Sequence, residues 1–206
     1  MALAALAWGA IIDRIAVSVG SQVITLRDVE REIRVTSFLN GVKPDLSPAN
    51  KRSTAERMVE QKLIRAELVS SRFPVPAPAE VEPALEKFKK DNYPTDADYQ
   101  RALTAYGITD QDVKDLLLWQ RTLLLFISLR FAPGVRVTDQ QIQDYFDKVV
   151  APAARAAHPA QPPALEDFRT QIEQTLIGQQ ADREMDNWLR EARKRTEIVF
   201  HPEALE

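Results

Sequence analysis

Apolar and polar positions alternate first, and then settle into a helical rhythm. Ile15, Val17 and Val19 alternate with Ala16 and Ser18, the period of a half-buried strand. Gly20-Ser21 separates them from Gln22-Val23-Ile24, which predicts a two-residue type II′ hairpin. Thr25, with Asp28 three residues on, predicts a capped helix carrying Val29 and Ile33 and stopped at Asn40-Gly41. Residues 43–50 read as a loop. Ser53 or Thr54 then caps a second helix whose apolar face is Ala55, Met58, Val59, Leu63, Ala66 and Val69. Pro74, Pro76 and Pro78 end it in an extended stretch. A third helix spans about 79–91, Thr95 opens a short fourth that stops at Gly107, and Thr109 with Asp112 opens a fifth.

The fifth helix departs from the pattern. Val113, Leu116, Leu117, Leu123, Leu124, Ile127 and Phe131 make one face, and Leu118, Trp119, Leu125, Phe126 and Leu129 fill much of the rest. Such a helix is either a central core element or one that offers a face to a ligand. Residues 116–131 contain Arg121 and Arg130 and fall short of the ~20 residues of a membrane span, so no stable membrane insertion is expected. Thr138 caps a sixth helix bearing Ile142, Tyr145 and Phe146. Residues 151–164 hold Pro152, Pro159, Pro162 and Pro163 among alanines and read as a linker. A last helix covers about 165–194, and residues 196–200 are a β-like segment suited to pair with the opening hairpin, which is not stable alone. The fold class is mainly α with a small β-hairpin and strand element, the N-terminal helices packed against the C-terminal helix.

Composition narrows the chemistry. With 27 Lys+Arg against 30 Asp+Glu, strong nucleic-acid binding is not expected. The chain has no cysteine and two histidines, His158 in an Ala/Pro run and His201, so neither a metal centre nor histidine acid–base catalysis is favoured. There is no G-x-S-x-G and no glycine-rich phosphate loop. The acidic clusters Asp28/Glu30/Glu32 and Asp110/Asp112/Asp115 sit near helix N-termini, where the dipole favours them as solvated caps. No enzyme and no cofactor are expected. Residues 2–10 are apolar and small, with Ala5-Leu6-Ala7 resembling a signal cleavage site, although the basic start of a signal is missing; an ordinary apolar first element is the alternative. What remains is binding through apolar and aromatic surface: Trp119, Phe126 and Leu118 first, on whichever face of the fifth helix stays open, then Tyr93, Tyr99 and Tyr106, since tyrosine suits a half-wet site.

The order of these elements is similar to a known family. Residues 13–25 followed by an acidic helix resemble the opening of the SurA-like periplasmic chaperones. Residues 54–64 look like that family's second helix, residues 135–146 like the helix before its parvulin isomerase module, and 188–200 like its closing segment. Where relatives insert the parvulin domain, this chain has only 151–164, and it lacks the paired histidines of a parvulin site. The resemblance implies a chaperone core built from both ends of the chain: a signal-like start at 1–10, a hairpin and helical region at 11–150, the linker at 151–164, and a helix and strand at 165–206 completing the same core. It implies an ATP-independent periplasmic holdase for unfolded outer-membrane β-barrel proteins. Two other readings stand beside it. One is an assembly subunit whose apolar helix is buried in a homo-oligomer, including a homodimer that exchanges arms at the proline hinges. The other is a prolyl isomerase with an unrecognised site.

Overall fold

A computed structural model describes residues 13–157 and 163–206. The signal-like start and His158 lie outside them. The chain forms two compact units, one of residues up to Leu118 together with Arg193–Glu206, the other of Trp119–Ala192.

In the first unit, β1 (Ile15–Val19) and β2 (Gln22–Thr25) form the expected hairpin, with Gly20 at a φ of 55°, the positive value its turn position needs. The last strand, β3 (Ile198–Phe200), pairs antiparallel with the free edge of β1, giving the order β2-β1-β3. An irregularity between Ile15 and Val17 lets the consecutive Ala16 and Val17 both turn inward. Val19 and Ile24 join them there, leaving Ile15, Val23 and Val199 on the wet face.

Helix α1 (Leu26–Leu39) starts on the Thr25/Asp28 capping box and ends at Asn40. Helix α2 (Pro48–Ser70) packs against α1 and the hairpin. It starts several residues before the expected Ser53 or Thr54, because Ser47 is the cap and Pro48 has the φ a first helical residue needs. Thr54 is wholly buried inside the helix. After the proline segment come α3 (Glu82–Asn92), α4 (Asp96–Tyr106), capped by Thr95 and closed by a left-handed Gly107, and the start of α5 (Asp110–Arg130). Arg193 ties the chain's last helix to α2 through Glu56 at 2.6 Å.

In the second unit, α6 (Asp139–Tyr145) runs through a π turn at Phe146–Val150 directly into α7 (Ala151–Ala157). This corrects the expectation of a linker from 151. Alanine is the strongest helix former, and the π turn already breaks the regular ladder where Pro152 lacks a donor, so the proline falls at a new helix start. The long α8 (Leu165–Arg195) packs Ile172, Phe168 and Leu176 on Ile142, Phe146 and Ala151. The molecule is mainly helical with one small antiparallel sheet. Helix α5 begins at Asp110, where Thr109 and Asp112 placed its start, and the segment Asp110–Gly134 is long and apolar enough to cross a membrane by length and composition, although residues 116–131 alone fall short.

Candidate functional site

Two places bring the sequence-marked residues together. In the first unit, Phe38 at the end of α1 is the hub of an aromatic cluster. Its ring lies 5.7 Å from Phe88, 5.9 Å from both Tyr93 and Tyr99, and 5.3 Å from Tyr106. The three tyrosines expected at a wet site therefore do meet, but unequally. Tyr99 is buried, whereas Tyr93 and Tyr106 are half-buried. The Tyr99 hydroxyl donates to Asp110 at 2.9 Å, and Tyr106 donates to the Val42 carbonyl at 3.0 Å. A surface cleft of about 460 Å³ opens beside Lys90, Tyr93, Pro94 and Thr95.

The ionic chemistry of this cluster is structural. Burial pushes the Tyr99 hydroxyl far above its ordinary value, and the neighbouring Asp110 adds to that. Burial acts to raise the Asp110 carboxyl too. The hydrogen bonds from Tyr99 and Lys114 and the Lys89 charge outweigh it and hold Asp110 below the ordinary carboxylate value of 3.8. A depressed folded value means stability that is present above pH 3.8 and is lost as pH falls through the lower, folded value. Thermal melts from pH 6 to pH 2 check this: the acid limb of the wild-type profile should flatten in Asp110→Asn, and an unchanged limb would remove Asp110 from the account.

In the second unit, Trp119 and Phe126 are inside. Phe126 meets Phe131 at 5.5 Å and Trp188 at 5.7 Å, and the Arg130 guanidinium stands within 5.9 Å of all three rings. The expectation that Trp119 and Phe126 form an open face is thus corrected: both are buried, and Phe126 packs against Trp188. Leu118 is half-buried. The open side of α5 carries Leu124, 69% exposed, and Leu129, 50% exposed, with Leu125 partly covered between them. The sequence held a signal for this. Arg121 and Ser128 are polar, and at three- and four-residue spacing they mark the wet side that Leu124 and Leu125 share.

A second apolar feature lies in the same unit. The bulky Ile142 of α6 and Phe146 of the π turn fill the space to α8, but further on Ala153 and Ala154 of α7 are too small to do so. A groove of about 290 Å³ remains between them and Phe168 and Ile172, with Val149 half-exposed at its rim.

Catalytic geometry is not assembled by the one described histidine. The Nε2 of His201 lies 3.5 Å from the Ser18 hydroxyl, and Nδ1 is 3.7 Å from Glu203, a carboxylate 76% exposed. Both distances exceed the range of about 2.6–3.2 Å for an activated nucleophile, and nothing holds Glu203 in place. Among the described residues no group of three His, Asp or Glu side chains is placed to hold a metal ion. Comparison with protein-family models and with curated proteins finds no match for this chain.

Proposed function

We propose that this protein is an ATP-independent chaperone that holds unfolded outer-membrane β-barrel proteins in the periplasm. The observation that carries the proposal is the open face of α5. Only 17% of its apolar segment is buried, and Leu124 and Leu129 stand in water. Exposed apolar surface of this kind is retained where something binds to it. The sheet that joins β3 to the opening hairpin and the helical order between them agree with the resemblance to SurA-like cores, and the groove beside Ala153 supplies a further apolar contact for an extended chain. Binding of this type is weak at each point, because each covered leucine contributes at most about 1.5–3 kcal/mol.

The test is light scattering from a denatured β-barrel porin diluted into buffer. Wild-type protein at several-fold excess should suppress aggregation. The variant Leu124→Asp/Leu129→Asp, altered only on the exposed face, should keep its melting temperature and lose most of the suppression. Absence of suppression by the wild type overturns the proposal. So does a stable dimer in which Leu124 is shielded from solvent, since a second copy would then be the occupant.

A further inference from the structure

A polar cleft in the first unit lies apart from the open face of α5. It measures about 280 Å³ and is walled by Ile33 and Ser37 of α1, Val42 and Lys43 of the following loop, and Thr54 and Arg57 of α2. Its frame is fixed by short bonds. Gly41 takes a φ of 64°, and the Val42 amide returns to the Ser37 carbonyl at 3.0 Å. Tyr106 holds the Val42 carbonyl from the other side, and Asn50 holds the Asp45 carbonyl at 2.7 Å.

Three observations define what would fit there. First, the charges favour an anion. Arg57 and Lys43 face one carboxylate, Asp45, whose two oxygens already accept from the Ser47 amide and hydroxyl at 2.9 and 3.1 Å. The Arg57 guanidinium donates only to the hydroxyls of Ser53 and Thr54, at 3.1 and 2.9 Å, with no acidic partner among the described residues. A guanidinium has five donors in a planar fork that matches the two oxygens of a carboxylate. Second, the Ser37 hydroxyl is in a side chain only 8% exposed, lines the cleft, and has no hydrogen-bond partner among the described residues. Its oxygen is not sealed from solvent, so the hydroxyl stands open to a ligand in the cleft. Third, the wall is apolar where Ile33 and the 53%-exposed Val42 meet, so the cleft has an apolar contact next to its cations. Its volume falls at the lower limit of the ~300–1,000 Å³ of drug-sized sites, which suits one residue and not a nucleotide cofactor.

We propose that this cleft binds a carboxylate that carries an apolar side chain, the chemistry of the C-terminal residue of a polypeptide or of a free N-acylated amino acid. Arg57 takes the carboxylate, Ser37 donates to it or to the adjoining amide, and Val42 with Ile33 packs the side chain. A phosphate dianion fits less well, because its second charge would face Asp45. This proposal does not depend on the holdase reading, as none of its residues lies on the α5 leucine face.

The experiment is amide-resolved NMR titration with calorimetry on the full chain. The probes are N-acetylvaline, its amide, a pentapeptide ending in free valine, the same peptide amidated, and inorganic phosphate. The free acids should shift the Ser37, Val42 and Thr54 amides saturably, and both amidated forms should bind at least about tenfold more weakly. Arg57→Gln should remove that difference. Arg57→Lys, which keeps the charge and loses the fork, should also weaken the free acids severalfold. A peptide that binds more tightly than N-acetylvaline identifies a chain end as the ligand, and equal affinity identifies the free amino-acid derivative. Equal binding of acid and amide, phosphate binding as tight as the carboxylates, or an Arg57→Gln variant that binds as the wild type does would each overturn the proposal.

Discussion

Phe38→Ala is expected to cost about 3–5 kcal/mol of stability, the range for deleting a buried phenyl ring. Phe38 is 2% exposed and contacts four other rings, contributed by α3, α4 and the segment between them. The loss has two parts. Removing the ring forfeits its transfer free energy, and the surrounding rings cannot collapse into the space without breaking the Tyr99–Asp110 and Tyr106–Val42 hydrogen bonds. Whole domains are stable by about 5–15 kcal/mol, so this one change approaches the total. Urea unfolding followed by near-ultraviolet circular dichroism is the measurement. The midpoint should fall sharply and the tyrosine signal should weaken in the variant before the transition. A loss below about 1 kcal/mol would show that Phe38 is not the hub of the cluster.

Phe126→Ala should be comparably severe, at about 3–5 kcal/mol. Its side chain is fully buried and meets Phe131 and Trp188 edge-on, with interplanar angles of 89° and 68°. Edge-to-face pairs add about 0.5–1.5 kcal/mol each beyond area burial. The informative control is two residues away. Leu124→Ala, at a site 69% exposed, should change stability by no more than about 0.5 kcal/mol. Trp188 fluorescence adds a second readout, because opening its pocket should move the emission to longer wavelength in Phe126→Ala and leave it unchanged in Leu124→Ala. Equal effects at the two positions would mean that α5 is rotated relative to the arrangement described.

The contrast between these positions shows where the sequence is readable. Local devices were plain. Thr25 with Asp28, Thr95 with Asp98, Thr109 with Asp112 and Thr138 with Gln141 all cap the helices they precede, since partners three residues apart meet whatever the rest of the chain does. The need of the hairpin for another strand was equally legible, and β3 meets it. The start of α2 at Ser47-Pro48 is less legible than a cap at Ser53 or Thr54, because several residues there have capping side chains and only packing decides among them; Thr54 lies fully buried inside the helix. The alanines of α7 were hidden by the prolines around them. The facing of α5 is the least legible in the sequence. A helix apolar nearly all round carries little internal direction, and the direction comes from Trp188, about sixty residues further on. The cleft at Arg57 left no motif at all, as its walls come from two helices and a loop that each read as ordinary surface.

The pairing of β1 with β3 has a consequence for how the chain is made. Ser18 and His201 are neighbours although 183 positions separate them, and the His201 amide closes on the Ala16 carbonyl at 2.9 Å. During synthesis at about 5–20 residues per second, the inner edge of β1 therefore waits some ten seconds or more before its partner leaves the ribosome. Throughout that interval a strand with Val17 and Val19 keeps its backbone donors and acceptors open to any other extended chain. The last of the described strands to emerge is thus the one that closes this edge of β1 to strand exchange.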